Sequence, residues 1–232
     1  MSYTIEYYET TNLWVLPRTI STITVHATRS GKHLTPTQEY DSTVNHFQNP
    51  NSQASTEFVV GPGVVAVFVA KGQPHNFEAA WRYAHWHLGL GFTAQAKGTV
   101  GIEVVQSFPD DKFDPEVMDT VAELLAEISP SIDVPLIHID PKADPLGRGV
   151  FGHEDVKLGN SDPGYQFDWD WALTGVQTPD YAAALQDMQD ERDAYGTATG
   201  PTAVPVLGSP EDVVGEVLRR IEAAGRALLG KE

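Results

Sequence analysis

Apolar and polar residues alternate through Thr22-Ile23-Thr24-Val25-His26-Ala27, at the end of an apolar-rich segment spanning residues 13–28. Ile23, Val25 and Ala27 share one face, and Thr22, Thr24 and His26 share the other. A period of two predicts a strand, here with its polar face turned toward a cleft. Residues 37–48 predict a short helix closed by Asn49-Pro50-Asn51. Two β-rich runs, 57–60 and 64–70, are joined by Gly61-Pro62-Gly63 and predict a hairpin. Residues 71–98 are rich in glycine, aromatics and histidine and show no clear period.

Farther along, residues 100–105 predict another strand, in which Glu103 lies opposite the shared face of Ile102 and Val104. Asp114-Pro115-Glu116 has the chemistry of a helix start, an acidic N-cap followed by proline at the first helical position. Val117, Val121, Leu124, Leu125 and Ile128 then form a helical stripe for packing on a sheet, with Ser129-Pro130 as the expected stop. Short extended pieces over 135–139 and 149–151 lead into His153. Strands and helices mixed in this way predict an α/β domain over residues 1–178. Residues 179–232 change character: a polar helix at 180–195, a Gly/Pro/Thr-rich linker at 196–209 and a last helix at 210–229. That helical tail is too short to fold alone.

Composition narrows the chemistry. The chain has 232 residues, 41% of them hydrophobic, as expected of a globular protein with a sizeable core. No apolar run approaches the ~20 residues of a membrane span, so membrane insertion is not expected. The first residues carry neither a basic region nor an apolar core, so a signal peptide is not expected either. A formal charge of −17 repels phosphate backbones, so nucleic acid is not an expected partner. The absence of cysteine excludes disulfides, thiolate nucleophiles and sulfur-ligated metal. Any metal must be held by nitrogen and oxygen.

His153 and Asp162 stand nine residues apart, with Pro163-Gly164 forming a turn directly after the carboxylate. With His26 far upstream they make a candidate metal trio. Two imidazoles and one carboxylate leave a fourth position open on Zn²⁺, the arrangement of catalytic rather than structural zinc.

Several pieces, in order, carry a family resemblance: Val25-His26-Ala27-Thr28, the run over 54–60, Trp86-His87-Leu88-Gly89, Val100-Gly101-Ile102-Glu103, and Gly152-His153-Glu154-Asp155-Val156 with Asp162-Pro163-Gly164 and Phe167-Asp168-Trp169. Together they resemble the zinc-dependent N-acetylmuramoyl-L-alanine amidases of the type-2 amidase and peptidoglycan-recognition-protein family, over about residues 20–173. The resemblance implies a mixed central β-sheet flanked by helices. It implies Zn²⁺ held by His26, His153 and Asp162, and Glu103 as the acid–base. It also implies bacterial peptidoglycan as substrate, cut between N-acetylmuramic acid and the first L-alanine of the stem peptide. His87, with His85 and Trp86 beside it, matches the family's substrate-contacting piece. Where the family commonly has an oxyanion-steadying lysine, this chain has Asn160, with Lys157 one turn of loop earlier. Either side chain could take that role. Many phage endolysins belong to this family, and an enzyme without a signal peptide fits one held in the host cytoplasm until it is released to the cell wall.

Blander readings compete with each residue. A strand histidine is usually a hydrogen-bonded core residue, Asp162 before Pro-Gly is most simply a turn residue, and Glu103 could be a solvent-facing carboxylate. His85 and His87, among Trp81, Tyr83 and Trp86, could equally be packing residues. His33, His46, His75 and His138 lack motif context and read as structural. Gly147-x-Gly149-x-x-Gly152 fits a dinucleotide-binding pattern, but no long strand precedes it and no helix is expected after it, so it reads as chance. His153-x-Asp155 begins like an iron triad, but no histidine follows His153 to complete one. Within the resemblance, a muropeptide-recycling amidase and a non-catalytic muropeptide-binding module are the alternatives; the second typically lacks a zinc ligand, whereas all three candidates are present here.

Overall fold

The computed structural model describes residues 2–14, 18–86, 98–156 and 161–175. The expected tail helices and linker, His87, Lys157 and Asn160 lie outside the described residues. The strands are β1 (Thr4–Thr10), β2 (Leu13–Trp14), β3 (Thr22–Ala27), β4 (Phe58–Gly61), β5 (Val64–Ala70), β6 (Ala84–His85), β7 (Thr99–Val104) and β8 (Gly149–Gly152). The helices are α1 (Pro36–Gln48), α2 (Phe77–Ala80), α3 (Pro115–Ile132), α4 (His153–Val156) and α5 (Trp169–Thr174). No helix among the described residues is long and apolar enough to cross a membrane.

Six strands form one mixed sheet in the order β1-β5-β4-β7-β3-β8, and β2 pairs with β6 apart from it. Only β4 and β5 run antiparallel; every other neighbouring pair in the large sheet is parallel. The predicted hairpin is present, with Gly61 opposite Val64 and the turn made by Pro62-Gly63. Proline presets the first turn residue, and Gly63 takes φ +63°, where a Cβ would be strained. The apolar run of β5 is buried along nearly all its length, as a strand covered on both faces requires.

Helix α1 begins with a capping box in which Thr35 and Gln38 satisfy each other's backbone N–H groups. It buries Tyr40, Val44 and Phe47 and packs against β4 and β1. Helix α3 starts as predicted, the Asp114 carboxylate accepting from the Glu116 N–H at 2.9 Å. Its stripe of Val117, Val121, Leu124, Leu125 and Ile128 is fully buried, and the helix packs on β4 and α5. The sheet and these helices enclose one apolar core.

Three expectations need correction. Helix α3 does not stop at Ser129-Pro130 but runs to Ile132. Proline in the last turn forfeits a single backbone bond, and the end is closed instead by Asp133 at φ 54° and by Ser129 Oγ, which donates to the Val134 carbonyl at 2.6 Å. The polar face of β3 is not uniformly a cleft wall: Thr24 is buried and shares a 2.7 Å hydrogen bond with Thr99, because β3 lies between β7 and β8. Finally, a short helix, α4, follows Gly152 directly where none is expected; strand β1, in turn, lies outside every predicted element. It is an edge strand whose outward residues are only half-buried, so Thr-Ile-Glu-Tyr-Tyr-Glu-Thr carries no clean alternation.

Candidate metal centre

Three adjacent parallel strands, β7, β3 and β8, end at the same edge of the sheet, and each delivers one side chain there. His26 is the penultimate residue of β3 and stands in register with Glu103 on β7. Val25 stands in register with Gly152 on β8, so His153, the next residue, emerges beside His26. Neighbouring strands are about 4.8 Å apart, so this register alone sets Glu103, His26 and His153 in a row. Carboxyl ends of parallel strands are where open α/β sheets commonly place their sites.

The third member of the trio comes from a loop. Asp162 Oδ2 lies 3.3 Å from His26 Nδ1 and 3.1 Å from His153 Nδ1. The imidazole rings meet edge to face with centroids 4.7 Å apart. One potential ligand atom from each of His26, His153 and Asp162 falls within 4.8 Å of the others. Both histidines are buried, at 2% and 3% exposure, while the Asp162 side chain keeps 16%. Residues far apart in sequence thus form a nitrogen–nitrogen–oxygen cluster of the kind that binds divalent transition metals.

Electrostatics separate the two carboxylates. Burial pushes the Glu103 carboxyl up to about 8, and the nearby charge of Asp162 pushes in the same direction. Burial also acts to raise Asp162, but hydrogen bonds to His153 and His26 and their positive charge outweigh it and hold Asp162 well below the usual carboxylate range. The two carboxyls are thus shifted in opposite directions by their surroundings.

Neighbouring groups brace α4, which begins with His153. Asp155 Oδ2 accepts the Gly152 N–H at 2.7 Å and lies 3.1 Å from His138 Nε2. The His138 ring stacks on Trp169 with centroids 4.0 Å apart. Sequence reading places His138 among the structural histidines, and this contact agrees.

His85 takes an interior position, and Trp86 a half-buried one. His85 is fully buried on β6, with Nδ1 2.9 Å from Ser55 Oγ and Nε2 3.0 Å from the Ala80 carbonyl. Both ring nitrogens are engaged by the fold, so of the two readings the packing one describes where His85 sits. Trp86 is half-buried against Trp14, at a centroid distance of 6.1 Å, and its backbone bridges Asn12 and Ser55.

Sequence reading overlooked Arg29. Its guanidinium reaches Ser161 Oγ at 2.6 Å, the Ser161 carbonyl at 2.5 Å and the Pro163 carbonyl at 3.0 Å, the residues on either side of Asp162. The one available signal was a cation three residues after His26, and such a residue has no meaning until the loop folds back onto it.

Residues 16–165 match the N-acetylmuramoyl-L-alanine amidase family, Amidase_2. Among solved structures, the chain is similar to the Staphylococcus aureus hydrolase AmiA in complex with its ligand, at 16% identity over 82% of this chain and 78% of that one, TM-score 0.43. It is similar to the endolysin N-acetylmuramoyl-L-alanine amidase LysCS from Clostridium intestinale URNW, at 14% identity over 76% and 100% of the two chains, TM-score 0.44. A mutant endolysin from Bacillus subtilis aligns at 15% identity over 85% and 100%, TM-score 0.45. No curated protein sequence matches this chain. Since the family match takes in well over half of the 232 residues, with the trio and Glu103 inside it, the chain belongs to the N-acetylmuramoyl-L-alanine amidase family.

Proposed function

We propose that this protein is a zinc-dependent hydrolase that cuts the amide between N-acetylmuramic acid and L-alanine in bacterial peptidoglycan, acting as a phage endolysin. The observation that carries the reading is the meeting of His26, His153 and Asp162 at the strand ends, with Glu103 in register beside His26. The donor set fits zinc: two imidazole nitrogens, one carboxylate oxygen and no sulfur, buried enough to exclude bulk water but with Asp162 still reachable.

Zinc bound there supplies a Lewis acid that acidifies water and polarises the scissile carbonyl. His26 and His153 would hold the ion through ring nitrogens, and the anionic Asp162 would offset part of its charge. Glu103 takes the proton of the attacking water on a carboxylate oxygen and returns it to the leaving amide nitrogen. Lys157 and Asn160 are the candidates for steadying the oxyanion, and His87 for contacting substrate. An endolysin made in the host cytoplasm and released to the wall accounts for the family relationship and for the intact trio. A muropeptide-binding module that does not cut has less support, because all three candidate ligands are present and meet.

The test is metal analysis of the purified protein together with release of free L-alanine amino termini from purified cell walls. One zinc per chain and chelator-sensitive release are expected. Protein that takes up no zinc and releases no amino termini after reconstitution overturns the proposal.

A further inference from the structure

We propose that Arg29 is a positioning residue that holds the metal-ligating carboxylate of Asp162 in place, an inference that rests on the metal reading of the site. His26 and His153 are fixed by adjacent strands, but Asp162 is on a loop with no ladder to hold it. Its own carbonyl accepts the Glu154 N–H at 2.9 Å. The guanidinium of Arg29 holds the peptide before Asp162 through the Ser161 carbonyl, and it also reaches Ser161 Oγ and the Pro163 carbonyl one residue farther on. With the preceding peptide held by Arg29 and the following one by the Glu154 N–H, the Cα of Asp162 is fixed while Oδ2 faces the two imidazoles.

Arg29 is itself well anchored. Its N–H donates to the Gln106 carbonyl at 2.7 Å, and its Nε donates to Gln106 Oε1 at 3.3 Å. Gln106 in turn donates from Nε2 to the Asp111 carbonyl at 2.7 Å. Arg29 adopts φ 45°, a left-handed conformation that a non-glycine residue keeps only where its surroundings impose it. Gly164 leaves the space this clamp requires: a Cβ there would lie 2.6 Å from an Arg29 nitrogen and 2.5 Å from the Ser161 carbonyl. The planar fork of arginine reaches several acceptors at once, which a lysine ammonium on one stem does not reproduce. The stretch 26–29 therefore carries one ligand and ties down another.

The experiment measures zinc affinity of the full chain by competition with a chromophoric chelator, the visible spectrum of the Co²⁺-loaded protein, and thermal melting of the metal-free protein. Arg29→Ala is expected to weaken zinc binding by about 10–100-fold, the usual cost of losing an outer partner of a ligand. Its Co²⁺ spectrum should shift as the carboxylate leaves its place, with the metal-free melting transition still cooperative. Arg29→Lys should fall between Arg29→Ala and wild type, and it carries the test if Arg29→Ala fails to fold. Affinity within twofold of wild type, or weaker binding with an unchanged Co²⁺ spectrum, overturns the inference. Wild-type protein that binds no zinc overturns the metal reading and this inference together, whereas wild-type binding matched by the variants overturns this one alone.

Discussion

Replacing Glu103 with glutamine should make the metal-free protein more stable while removing its activity. The carboxyl is buried at 6% exposure, and its pKa is raised from 4.5 to about 8. In the unfolded chain the group ionises near 4.5, but in the fold it keeps its proton until about 8. Between those values unfolding releases a proton, so the wild type loses stability as pH rises through that window. Glutamine has nearly the same shape and never ionises. At 1.36 kcal/mol per unit, the variant should gain about 3 kcal/mol over wild type at pH 7 and almost nothing below pH 4. For a chain of this size that corresponds to a melting-temperature difference of roughly 6–12 °C. Paired thermal melts of metal-free wild type and Glu103→Gln from pH 4 to pH 8 measure it, and the pH dependence of Asp162 cancels in the difference. Zinc should shrink the gap, because a cation beside Glu103 favours its charged form. Amide cleavage by the zinc-loaded variant should fall by about 10²–10⁴-fold with metal retained. A stability difference that does not vary with pH would refute the assignment of a buried, proton-holding carboxyl.

Other outcomes follow from the same geometry. His26→Ala, His153→Ala and Asp162→Ala should each lose zinc on gel filtration and lose wall-cleaving activity, with far-ultraviolet circular dichroism unchanged. Chelator treatment of the wild type should abolish activity, lower the melting temperature and be reversed by Zn²⁺, since an ion that binds only the folded state stabilises it. Arg18→Ala should cost about 3–5 kcal/mol by denaturant titration, because Arg18 and Glu57 form a buried 2.7 Å ion pair and the guanidinium also donates to the Trp81 and Thr99 carbonyls. His85→Ala should cost roughly 2–4 kcal/mol of stability through its two buried hydrogen bonds yet keep kcat per folded molecule; lost turnover in a fully stable variant would return His85 to the substrate.

Much of the fold was legible because local chemistry and burial agree in it. The capped and striped helix α3, helix α1, the Pro-Gly hairpin and strand β7 each declare themselves through periodicity or turn residues within a few positions. The pieces that escaped are those whose order comes from partners: edge strand β1 lies beside β5 with half-exposed outer residues, and the two-residue strands β2 and β6 exist only as a pair. Pro130 misled for a related reason. A helix-breaking residue matters by its position relative to the last turn, and that position is set by where the core ends.

The candidate site divides in the same way. Residue type and spacing pointed to His26, His153 and Asp162, and the family resemblance of the surrounding pieces added Glu103. Sheet order decided that they meet: β3 runs between β7 and β8, and parallel register places three of them at one edge. Burial then set the protonation of Glu103, and the loop carrying Asp162 came to rest on a guanidinium 132 residues away in sequence. Local patterns encode which groups are available. Their pKa values and their bracing depend on desolvation and on contacts between distant segments, and these exist only once the chain has folded.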